Sequence, residues 1–99
     1  MFIAIVDFTV AAANRAAALA ELLTDADAVR AMKGNIGFRC YLDPVMPEAL
    51  CIVHEWQDAE AFAAYTNSRY FARLNAVLRP MMTSRPISRR MKAALIETV

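Results

Sequence analysis

Between Phe2 and Val10 almost every position is apolar, and the apolar side chains fall on both faces of an extended chain. Phe2, Ala4, Val6 and Phe8 share one face; Ile3 and Ile5 share the other. The β-branched and aromatic content predicts a first strand over Phe2–Val10. An alanine-rich run follows, with Asn14, Arg15 and Leu19 at helical spacing. It predicts a helix from Ala12 to about Leu23, continued after a kink by Asp25–Lys33, with Thr24 or Asp25 as cap and Gly34 as stop. In Asn35–Asp43, Ile36, Phe38, Cys40 and Leu42 alternate with Gly37, Arg39, Tyr41 and Asp43, the period of a strand. Pro44 and Pro47 make the next six residues a turn. Ala49–Trp56 reads as a third strand. Asp58 then caps a helix over about Ala59–Leu78, broken at Asn67-Ser68 and ended by Pro80. Pro86 opens a last strand, about Ile87–Thr98.

The predicted order is β-α-β-β-α-β in one domain spanning 1–99, the α+β split unit of ferredoxin-like folds. An antiparallel sheet covered by helices on one face should alternate apolar and polar residues. The first strand does not, and in the third Leu50 and Ile52 oppose Cys51 and Val53. Something must cover the second face, and the same sheet of another copy is the economical candidate, giving a homodimer.

Composition narrows the function classes. The chain is 59% hydrophobic and 21% charged, which is globular rather than disordered. With a net charge of +1, no strong attraction to nucleic acid or membrane is expected. Arg85, Arg89, Arg90 and Lys92 form one basic cluster, read as a solvated strand edge. No segment reaches the ~20 apolar residues of a membrane span, and the N-terminus lacks the basic start of a signal peptide. A cytoplasmic location is the resulting expectation. One His, two Cys and no CxxC argue against a structural zinc site. Cys40 and Cys51 lie symmetrically about the predicted hairpin, so a disulfide across the ladder is thinkable, although small buried thiols suit a reducing compartment better.

The ordered motifs Gly34-x-x-Gly37-Phe38, Trp56-x-Asp58, Phe62 to Phe71 around Asn67-Ser68, and Pro80-Met81-Met82 resemble the antibiotic biosynthesis monooxygenase family over nearly the whole chain. The resemblance implies a dimeric α+β barrel. For some members it implies oxidation of polycyclic phenols, anthrones or quinols by molecular oxygen without metal or flavin. Two positions depart from the family pattern: His54 stands where members often carry Glu, and Tyr65 where they often carry His. The haem-degrading branch uses an Asn on the first strand and a Trp and a His on the second helix. The corresponding positions here are Val6 or Asp7, Tyr65 and Asn75, and none matches.

Six residues are candidates for the site. His54, the only histidine, alternates with Ile52 and Trp56 and shares their face. It is either a general base for a phenolic proton or a hydrogen-bonded structural residue. Trp56 either stacks on a planar substrate or plugs the core. Phe62 and Tyr65 share a helical face; Tyr65 either lines a pocket with its hydroxyl as a donor or is a core aromatic with a satisfied hydroxyl. Asn75 either holds a developing oxyanion through its amide or is an exposed or locally bonded helix residue. Arg39 either meets an anionic substrate oxygen or pairs with Asp7 or Glu55. The expected function is a cofactor-independent monooxygenase acting on a small planar phenol, quinol or anthrone. A non-catalytic dimeric binding module and an isomerase or lyase on the same barrel are the alternatives.

Overall fold

The computed structural model describes all of residues 1–99, in the order β1 (Phe2–Thr9), α1 (Arg15–Thr24), α2 (Ala26–Arg30), β2 (Asn35–Leu42), β3 (Ala49–Trp56), α3 (Ala59–Thr66), α4 (Arg69–Leu78) and β4 (Ile87–Lys92). Single 3-10 turns, Ala12–Asn14 and Arg79–Met81, precede α1 and follow α4. The strands form one antiparallel sheet in the order β2-β3-β1-β4. That is the expected ferredoxin-like α+β arrangement: the β1-to-β2 crossover leaves a gap that β3 fills, and the β3-to-β4 crossover one that β1 fills.

Strand pairing puts Phe38 beside His54, His54 beside Ala4, and Ala4 beside Arg90. This row runs across the face that the helices cover. The core lies there, with Ala4, Phe8, Leu50, Ile52 and Trp56 from the sheet and Ala18, Leu22, Phe62, Tyr65 and Leu78 from the helices. The break at Asn67-Ser68 is real. Asp58 caps α3 by accepting from Ala61 N, and Ser68 caps α4 by accepting from Phe71 N. Two caps in one amphipathic stretch let the helix change direction and wrap the sheet.

Four local expectations are corrected. The second helical piece ends at Arg30, not Lys33; Asp25 stands at its N-cap, but its carboxylate accepts from Arg73 Nε at 2.6 Å instead of capping. Gly34 follows at φ +82, and a Cβ there would lie 2.6 Å from Ala61 Cβ, so the turn needs glycine for its conformation and for its closeness to α3. β4 ends at Lys92, well short of Thr98: Lys92 faces Phe2 at the start of β1, and a single bond from Ala93 N to Met1 O closes the ladder. Cys40 and Cys51 do not face each other: Cys51 pairs with Tyr41 and Cys40 with Ile52, so the two thiols occupy opposite sheet faces. A one-residue shift of the turn is enough to do this.

The uncovered face carries Ile3, Ile5, Val53, Tyr41, Ile87 and Met91, the last three well exposed. No helix is long and apolar enough to cross a membrane.

Candidate active site

His54 sits on β3 between Phe38 of β2 and Ala4 of β1, facing the helices, and is only 4% exposed. Rings surround it. Phe38, Phe62 and Tyr65 have centroids 5.5 to 5.6 Å away, and Trp56 lies at 6.1 Å. Alternation along β3 brings Trp56 to the same face two residues on, and its indole N–H donates to His54 Nδ1 at 2.8 Å. Trp56 itself is fully buried and stacks on Tyr65, with centroids 5.3 Å apart and planes at 25°.

This hydrogen bond fixes the imidazole tautomer. An indole N–H can only donate, so Nδ1 must present its lone pair and the proton of the neutral ring sits on Nε2. Burial among the rings, and after it the positive charge of Arg90, together push the His54 pKa down to about 4. At neutral pH the side chain is therefore an uncharged donor. No group of the chain accepts from Nε2, yet no polar side-chain atom is sealed off without a partner. The free N–H opens onto the cavity that His54 lines.

That cavity measures about 200 Å³ and lies between the sheet and α3–α4. Val6, Phe8, Ile52 and Phe62 give it apolar walls, with Leu74 and Leu78 of α4 opposite. The polar groups at its surface are His54, Tyr65, Asn75, Arg79, Ser88 and Arg90, and no carboxylate lines it. Burial raises the Tyr65 phenol far above the ordinary range, so its hydroxyl stays protonated. Arg90 Nε donates to Ser88 Oγ at 3.3 Å, and its guanidinium lies 5.0 Å from the centre of the Phe62 ring. The arrangement can hold a small planar ring and surround an oxygen on it with donors. It offers no lone pair of ordinary basicity to take a proton.

Four of the six sequence candidates line the cavity: His54, Phe62, Tyr65 and Asn75. Trp56 stands behind them as a support that reaches the cavity through His54. Arg39 is not part of the constellation. It is exposed on the opposite face of the sheet, across from Val53, and the expected Asp7 carboxylate accepts from Arg89 Nη2 at 3.1 Å instead. Arg79, Ser88 and Arg90 were not singled out as site residues. The signal was present for two of them, since Ser88 and Arg90 alternate on β4 and share a face. It could not be used without knowing that β4 pairs with Val6 and Ala4. No three His, Cys, Asp or Glu side chains gather in a geometry that could hold a metal ion.

Comparison with known proteins follows the same lines. The profile of the family described as "Antibiotic biosynthesis monooxygenase" matches residues 1–77. A search of curated proteins returns no match. Among solved structures, a candidate antibiotic biosynthesis monooxygenase from Nitrosomonas europaea superposes with a TM-score of 0.90 at 13% identity, covering 96% of this chain and 100% of that one. One from Deinococcus radiodurans gives 0.90 at 17% identity, covering 100% and 98%. A conserved protein of unknown function from Bacteroides thetaiotaomicron gives 0.84 at 18% identity, covering 91% and 94%. At these identities the likeness establishes the fold. The profile match over more than half the sequence establishes that the chain belongs to the antibiotic biosynthesis monooxygenase family.

Proposed function

We propose that this member of the antibiotic biosynthesis monooxygenase family is a single-domain, cofactor-independent monooxygenase of small phenols, working as a homodimer. The observation that carries the reading is the Trp56–His54 hydrogen bond, which holds an N–H donor at the wall of an apolar cavity. A substrate oxygen placed there is stabilised more as a phenolate than as a phenol, because charge-assisted hydrogen bonds are roughly twice as strong as neutral ones. The Asn75 amide supplies a second donor, and the nearby guanidinium groups favour negative charge. His54 thus acts as a donor that makes the substrate acidic rather than as a base that removes its proton. The proton leaves to water.

The ionised ring is electron-rich. One electron passes from phenolate to O2, giving a phenoxyl and superoxide. The pair couples at the ring carbon para to the oxygen and takes up a proton, forming a hydroperoxide. Loss of water then leaves the quinone. One phenol and one O2 become one quinone and one water. The chain contributes desolvation, orientation and the donors.

Size limits the substrate. An apolar cavity of ~150 Å³ holds one benzene ring. About 200 Å³ therefore favours a substituted single ring or a compact fused pair over a three-ring anthrone. The test is an oxygen electrode with 1-naphthol. Protein-dependent uptake of one O2 per 1,4-naphthoquinone formed is expected; absence of uptake with 1-naphthol and with single-ring phenols would overturn the reading. The dimer is supported by the apolar outer face of the sheet, which water would otherwise cover. Light scattering at micromolar concentration tests it.

The binding-module alternative draws support from one observation. No cavity group is a base of ordinary strength, as a site that only binds would also have it. Tight binding of 1-naphthol without oxygen uptake would select it.

A further inference from the structure

The cavity is lopsided in charge, beyond what one phenolate requires. Arg79, from the turn that ends α4, and Arg90, from β4, both reach it, and neither is ion-paired within the chain. Every other ion pair of the molecule lies elsewhere: Arg30 with Asp27, Arg73 with Glu21 and Asp25, Arg89 with Asp7. Arg90 is also held in place. Its Nε is engaged by Ser88, and its plane rests by the Phe62 ring, which leaves the two terminal nitrogens free as a fork. Guanidinium groups held this way suit a planar two-oxygen anion.

Spacing separates this anchor from His54. The two residues sit in one row with only Ala4 between them, so their backbones are two strands apart, roughly 10 Å. His54 and Arg90 both line the cavity, so a ring whose oxygen meets His54 can project a second group along it toward Arg90.

We propose that the ligand of this cavity is an aromatic acid: a one- or two-ring phenol with a carboxylate at the end remote from its hydroxyl, seated between Arg79 and Arg90. This rests on the phenol reading above and names its substrate class. The fork of Arg90 takes the carboxylate, and Arg79 closes over it from the α4 side. The phenolic oxygen points to His54. The walls between are apolar and carry no acidic group to repel the ligand.

The experiment compares two probes that differ only in that group, 1-naphthol and 5-hydroxy-1-naphthoate. Binding is followed by calorimetry and by the fluorescence of Trp56, the only tryptophan. At low salt the acid should bind ~10-fold or more tightly than the naphthol, and the gap should shrink as salt screens the exposed arginines. Arg90→Gln and Arg79→Gln should each remove most of the gap by weakening the acid far more than the naphthol. Arg90→Lys, which keeps the charge and loses the fork, should fall between. Lys33→Gln, remote from the cavity, should leave the gap intact. Equal binding of the two probes, or a preference for the acid that survives both Gln variants, overturns the aromatic-acid assignment and leaves the phenol site standing. Failure of both probes to bind overturns the phenol reading and the assignment together.

Discussion

Lowering the pH from 7.5 to 4 should strip about 3 kcal/mol of stability from this protein through one side chain. In the folded chain His54 has its pKa pushed down to about 4, first by burial among aromatic rings and then by the Arg90 charge. In the unfolded chain it returns to about 6.5. Between these values the unfolded state binds a proton that the folded state refuses, so stability rises with pH across the window and falls as acid is added. Linkage gives a loss of about 2 kcal/mol at pH 5 and about 3 kcal/mol at pH 4, relative to pH 7.5. His54 is only 4% exposed, so solvent screening takes little from this figure. Domains of this size are held by ~5–15 kcal/mol, so the loss is a large share of the whole. The chain's carboxylates also titrate in this range, and a variant removes their contribution. In His54→Gln the amide oxygen can still accept from the Trp56 indole, and nothing at position 54 titrates. Urea unfolding followed by Trp56 fluorescence, run on both proteins from pH 7.5 to 4, isolates the term. The wild-type curve should fall below that of the variant by about 2 kcal/mol at pH 5 and 3 kcal/mol at pH 4. Parallel curves would refute the assignment of a buried, neutral His54.

The same tautomer separates a donor from a base in kinetics. His54→Gln should keep 1-naphthol oxidation within ~10-fold, whereas His54→Ala should lose ~10²-fold or more, the scale of a missing oxyanion donor; an equal collapse of both variants would restore the general-base role. Trp56→Phe leaves the buried Nδ1 without its donor and should cost about 1–3 kcal/mol in urea unfolding, beyond what loss of ring area explains. Gly34→Ala meets both a positive φ and the Ala61 methyl, so its melting temperature should fall by several degrees, a shift that about 1 kcal/mol gives in a domain of this length; an unchanged melt would mean that α3 yields freely. Val53→Asp, on the uncovered face, should give a monomer by light scattering while the far-ultraviolet dichroism stays native; a species unchanged in mass would place the subunit contact elsewhere.

Legibility in the sequence followed the range of the interactions. The first three strands, the capped start at Asp58, the break at Asn67-Ser68 and the stop at Gly34 were all readable, because each depends on residues within a turn or two of itself. Strand alternation also placed Ile52, His54 and Trp56 together, and the apolar character of both sheet faces was visible from Ile3, Ile5 and Val53. What the sequence could not determine was register and the pairing of distant segments. One residue of shift sends Cys40 and Cys51 to opposite faces. The end of β4 depends on where β1 runs out, ninety positions earlier in the chain. Arg39 belonged to the site by residue type and left it by sheet face, while Arg90 looked like a solvated edge charge and joined it through its pairing with Ala4. The role of His54 was decided by tertiary structure most of all. Sequence supplied the only imidazole; packing supplied the rings that lower its pKa and the indole that takes up Nδ1, and so turned the one apparent base into a donor.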